Sequence, residues 1–170
     1  TPSPGLIRKT LEAINIPVNV LIRPREGNFC YTEQELDIML GDIVFCREAG
    51  VNGVVVGALD THQQLDLNKL QAMQEAAGSM EVVHHRAFDF CNDPFKALQQ
   101  LIDLGYHRIL SSGQANSAFE GRFLLKKLVE AAAGRISIMP GAGINAMNIQ
   151  AIASVSGAAE FHFTGKIKVQ

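Results

Sequence analysis

About six short apolar runs recur along the chain, roughly every 25 residues. Longer stretches between them open on capping residues and close on glycine. The runs are 16–22, 53–59, 81–85, 108–111, 136–139 and a last short one at 160–163. They are nearly continuous rather than alternating, which predicts strands buried on both faces of a parallel sheet. Helices are expected over 6–14, 32–49, from Asp66 to near Gly78, and over 94–104, 117–133 and 145–155. Thr32 and Glu35 form a T-x-x-E capping box. Asp93 is an N-cap with Pro94 at the first helical position. Gly50, Gly105 and Gly134 are the C-terminal stops.

Repeated strand–helix order leaves two architectures, a (β/α)8 barrel or an open doubly wound sheet. Loops after strands are longer and more polar than loops after helices, a trait of both. The strand count falls short of the eight a barrel needs. Thr1 to Pro4 reads as the cap of a helix whose preceding strand is absent. The expectation is one α/β domain over residues 1–170, a parallel (β/α)8 TIM-type barrel, incomplete in this chain. Such a sheet keeps two bare edge strands, which invite pairing.

Composition narrows the partners. The 170 residues are 47% hydrophobic and 19% charged, so a packed globular domain is expected. Net charge is −2 and the pI about 6.2, which forces no basic face for nucleic acid or an anionic membrane. No apolar run is long enough to span a bilayer, and no signal-peptide pattern opens the chain. Cys30, Cys46 and Cys91 are odd in number and far apart, as free thiols of a reducing compartment are. A cytoplasmic protein is expected, and the absence of a C-x-x-C pair argues against structural zinc.

Candidate chemistry lies at the strand ends, where α/β folds bind ligands. Glu81 to Asp89, EVVHHRAFD, runs from a strand into two histidines, an arginine and a carboxylate. Neighbouring strand residues point to opposite faces, so His84 and His85 are not co-ligands, and His85 is expected inward. His85 is the candidate acid–base group, with Arg86 beside it and Asp89 orienting it or pairing with Arg86 or Arg23. Arg23 and Arg25 flank Pro24 as an anion clamp, or as salt bridges in the barrel mouth. Ser112, Gly141, Gly143 and His162 complete an anion-binding set, with the G-A-G turn as a nest before a helix. Turn chemistry alone also accounts for such glycines. Cys30 and Cys91 fall in loops on the His85 face, and thiolate with imidazole suits Cu(I). Cys46 and the scattered methionines are expected in the core.

VLIRPREGNFCYT, GVVVGALD, HHRAFD, RILSSGQ, MPGAGI and EFHF occur in one order, and together they resemble the CutC family of copper homeostasis proteins. The resemblance covers essentially the whole chain. It implies a (β/α)8 barrel lacking here roughly two first strands, the first helix and the last helix. It also implies cytosolic Cu(I) handling and a homo-oligomer. The chain departs from the family pattern in places. His84 stands where an aromatic is usual, Glu26 replaces a glycine, and Phe163 to Gly165 replaces small residues. The tail from Lys166 to Gln170 does not follow the pattern. Cysteines proposed as copper ligands in some members lie in the missing N-terminal part. The residues themselves point to an enzyme mouth for a small anionic or phosphorylated metabolite.

Overall fold

A computed structural model describes residues 1–165; the tail 166–170, where the departure from the family pattern was noted, lies outside the described residues. Helix α1 (Pro4–Ala13) is followed by strands β1 (Asn19–Leu21), β2 (Gly53–Val56), β3 (Glu81–His84), β4 (Arg108–Ser111) and β5 (Ser137–Pro140). These alternate with helices α2 (Glu33–Glu48), α3 (Leu67–Ala77), α4 (Pro94–Asp103), α5 (Arg122–Ala132) and α6 (Ile149–Ser156).

The helix starts follow local chemistry. Thr32 Oγ1 accepts the Glu35 N–H at 3.2 Å while Glu35 Oε2 accepts the Thr32 N–H at 2.8 Å, closing the capping box. Asp93 Oδ1 accepts the N–H groups of Phe95 and Lys96 at 3.1 and 3.0 Å. Each bond satisfies a donor that the first helical turn leaves free.

All strand pairs are parallel, and the order is β1-β2-β3-β4-β5. A doubly wound sheet reverses its strand order at a switch point. This sheet has none, and α2 packs on α3, α4 on α5 and α5 on α6 in sequence. The five strands are therefore a segment of a singly wound barrel. Val54, Val56, Val82, His84 and Ile109 are fully buried, and the four apolar ones join the core between sheet and helices. The intervening residues Val55, Val83, His85, Leu110 and Met139 face the other way, onto the barrel interior.

The structure corrects several boundaries. The expected strand at 160–163 is not a strand; it keeps one sheet-like bond, from the His162 N–H to the Pro140 carbonyl at 2.9 Å. Helix α5 begins at Arg122 rather than Ser117, because Gly121 sits against the Ser112–Gly113 backbone: a Cβ there would lie 1.9 Å from the Ser112 carbonyl oxygen. Helix α6 begins at Ile149 because Asn145 to Asn148 form a turn closed by their own side chains. Residues Arg86–Phe90, expected as loop, form a short 3-10 helix. At the N-terminal end of the sheet Arg108 bridges Glu81 and Glu160, a long-range pairing that no local motif marks.

Candidate functional site

A cavity of about 470 Å³ opens on the inner face of the sheet. Asn19, Leu21, Val55, Val83, Leu110 and Met139 form its floor, and Arg23, Phe29, His85, Arg86 and His162 its rim. Strand alternation puts Val83 and His85 on this face and sends His84 into the core, against Phe88 and Tyr106. His84 Nδ1–H donates to the His85 carbonyl at 3.0 Å.

The His85 ring is held on three sides. Its Nδ1 accepts the Ala87 N–H at 3.1 Å, so the hydrogen-bond network places the proton of the neutral ring on Nε2. Its centroid lies 5.0 Å from that of Phe29, which in turn lies 5.7 Å from Phe90. Below it sits Gly57, where a Cβ would be 2.5 Å from Nδ1 and Cε1, so only glycine leaves room. His85 is 5% exposed, and burial, helped by the positive charge of Arg23, pushes its pKa down to about 4. The side chain is therefore a neutral hydrogen-bond donor near neutral pH, and its Nε2 has no partner among the described residues.

Arg23 reaches the rim from the end of β1. Its Nη2 donates to the Gly27 carbonyl at 2.9 Å, and the guanidinium carbon lies 4.8 Å from the Phe29 ring centre. Its Nε is buried without a partner, as is the Tyr31 hydroxyl. Arg25 turns away from the cavity: it pairs with Glu35 and donates to the carbonyls of Asn28 and Cys30 at 2.9 and 2.8 Å. The two arginines do not form a clamp, and Arg25 instead ties its loop to the start of α2.

Asp89 does not touch His85. Its carboxylate accepts from Arg86 Nε at 2.8 Å, Ser111 Oγ at 2.6 Å, the Ser112 N–H at 3.0 Å and Ser112 Oγ at 2.9 Å. Arg86 also donates to Ser112 Oγ at 3.0 Å. Asp89 thus pins the end of β3 to the end of β4 and neutralises Arg86. Ser112 is consumed in this network rather than offered to a ligand.

The glycine turn is not presented as a nest before a helix. The Gly141 N–H donates to the Ser111 carbonyl at 2.9 Å, and the Gly143 carbonyl accepts from Asn148 Nδ2 at 2.8 Å. Gly141 has a spatial role instead: a Cβ there would meet Leu110 Cδ1 at 2.4 Å and His162 Cβ at 3.5 Å. His162 does line the cavity.

The thiols stand outside it. Cys30 Sγ donates to the Asp60 carbonyl at 3.1 Å. Cys91 is buried beside Gln114, and burial pushes its thiol up to about 12, which disfavours the thiolate a metal requires. No group of three His, Cys, Asp or Glu poised to hold a metal occurs among the described residues. Cys46 is fully buried in the core, as expected.

Phe29, Tyr31 and Gly57 were not singled out from sequence. The F-C-Y alternation after an arginine-rich strand end is the signal that held the first two; nothing in a V-V-V-G run marks Gly57 as the floor under a histidine.

Among relatives, a family protein CutC of Parabacteroides distasonis is 49% identical over 168 residues, covering 98% of this chain and 69% of its own length. A family protein CutC of Glaesserella parasuis is 45% identical over 166 residues, covering 98% and 68%. The chain thus spans about two thirds of the length of these relatives. The crystal structure of a protein assigned as copper homeostasis protein CutC, from Streptococcus agalactiae, superposes with a TM-score of 0.92 at 37% identity, over 95% of this chain and 80% of that one. An aldolase, QR15, superposes with a TM-score of 0.71 at 16% identity, over 93% and 73%, and shares the fold alone. No helix of the described residues is long and apolar enough to cross a membrane. The model of the CutC family matches residues 1–167, and the chain belongs to that family.

Proposed function

We propose that the barrel mouth binds a small anionic ligand, with Arg23 as its counter-charge and His85 Nε2–H as a neutral donor to one of its oxygens. The observation that carries this reading is the pair of buried, unpartnered donors, Arg23 Nε and His85 Nε2, on two side chains that line one cavity. Unsatisfied buried donors cost about 1–3 kcal/mol each, and a ligand oxygen removes that cost. A neutral imidazole with its proton fixed on the outer nitrogen polarises a carbonyl or holds a developing oxyanion. It does not take a proton there, so the role of His85 shifts from acid–base group to electrophile. His162 and the free side of Arg86 complete the rim.

The test is thermal unfolding in acetate and in inorganic phosphate against chloride at equal ionic strength. The wild type is expected to gain stability in at least one of the two anions, and Arg23→Gln and His85→Ala to lose that gain. Equal responses in all three proteins reject the reading.

A second reading is cytoplasmic Cu(I) handling. The Streptococcus agalactiae name supports it, as do the three free thiols. The residues present fit a thiolate site poorly, since Cys30 and Cys91 each have a protein partner. Titration of the reduced protein with Cu(I) against a competing chelator decides. Tight one-to-one binding that collapses in a Cys30→Ser, Cys91→Ser double variant upholds copper handling. Binding that is weak, or unchanged in the variant, removes the thiol site.

A further inference from the structure

We propose that the ligand of this mouth is a carboxylate carried on an apolar body, and not a phosphate ester. The inference rests on the anion-binding reading above and narrows it to one chemical class.

The charge of the rim is the first argument. Two guanidinium groups line the cavity, but Arg86 is neutralised by Asp89 at 2.8 Å. Arg23 has the Gly27 carbonyl and the Phe29 ring as partners and the Tyr31 hydroxyl beside it, and none of these is a carboxylate. His85 adds a donor without a charge, because burial holds it neutral. One uncompensated cation matches a monoanion. A phosphate monoester carries about −1.5 to −2 near neutral pH and would leave surplus negative charge in a poorly solvated site.

Backbone donors are the second. Barrels that bind phosphate offer free N–H groups from glycine turns and a helix N-terminus. Here the Gly141 N–H is bound to the Ser111 carbonyl at 2.9 Å. The turn that follows is closed on itself: Asn148 Oδ1 accepts the Asn145 N–H at 2.9 Å, and Asn145 Oδ1 accepts that of Met147 at 2.9 Å. Gly143 does not line the cavity. Of the buried side-chain donors on the rim, Arg23 Nε and His85 Nε2 are left unpartnered, and two such donors match in number the two oxygens of one carboxylate.

The floor is the third. Below the rim the walls are Leu21, Val55, Val83, Leu110 and Met139, with Phe29 above and Asn19 as the one polar group among them. A bare small anion leaves that surface wet, whereas an apolar body attached to the carboxylate covers it and takes its apolar area out of water.

Three probes separate these terms by calorimetric titration of the whole chain: 4-methylpentanoate, acetate and 3-methylbutyl phosphate. The expected result is that 4-methylpentanoate binds about tenfold or more tightly than either of the others. Arg23→Gln should weaken it by about tenfold or more, and Met139→Gln should weaken it while leaving acetate unchanged. If the phosphate ester binds as tightly or more tightly and Arg23→Gln removes it, the carboxylate class fails while the anion-binding reading stands. Acetate as tight as 4-methylpentanoate overturns the apolar body. If none of the probes binds in an Arg23-dependent way, both the class and the reading beneath it fall.

Discussion

His84 and His85 are adjacent in the chain and lie on opposite faces of β3, and both are held neutral by burial. The pKa of His84 is pushed down to about 3 and that of His85 to about 4, from 6.5 in an unstructured chain. Between those values the unfolded chain binds protons that the folded one refuses, so stability must fall as pH falls. The contribution is complete above about pH 6.5 and is lost on the way down to the folded values, at roughly 1.4 kcal/mol per pH unit for each histidine. His84 sits against Phe88 and Tyr106. The family resemblance puts an aromatic at that position, so His84→Phe suits the space. It is expected to remove about half of the drop that the two histidines cause between pH 7.5 and 5. Urea unfolding of both proteins at the two pH values measures this. Parallel drops in the two would show that His84 carries no titration penalty.

At the scale of elements, the sequence held the order of strands and helices but not how their ends meet. Capping boxes and Asp–Pro starts are local, so α2 and α4 were legible to within a residue or two. The start of α5 was not, because it is set by Gly121 lying on the backbone of residues 112 and 113, a contact that no local signal announces. The same limit governs the site. Alternation along β3 was enough to turn His85 inward. Asp89 pairs with Arg86, one of the partners its sequence offered, while its bonds to Ser111 and Ser112 depended on where β4 ends. Arg23 and Arg25 look equivalent in R-P-R, yet Glu35 of the capping box draws Arg25 away and leaves Arg23 at the cavity. Chemistry at a strand end was therefore readable, while its division into ligand-facing and structural groups waited on long-range pairing.

At the scale of the molecule, the sheet is a barrel segment with two open flanks. Among the described residues β1 pairs with no strand but β2 and β5 with no strand but β4, and the far side of β5 takes a single bond, from the His162 N–H. Each flank presents unpaired backbone groups in a parallel strand, a template for another chain. The inner face adds apolar surface beside the β1 edge, where Leu21 is 42% exposed. The related CutC proteins are longer by about half, and this chain matches about two thirds of each. From the bare edges and the apolar inner face we expect the 170-residue chain to self-associate. Sedimentation velocity over a concentration series should show species heavier than the monomer. Leu21→Lys places a charge on the inner face next to the edge without touching the buried side of β1, where Val20 packs. It should weaken association by about tenfold, since one apolar contact is lost and a lysine is left to desolvate. Circular dichroism of the variant checks that the fold persists. A wild-type chain that stays monomeric through the series would mean that the flanks are protected by their own twist and loops, and the variant would then change nothing.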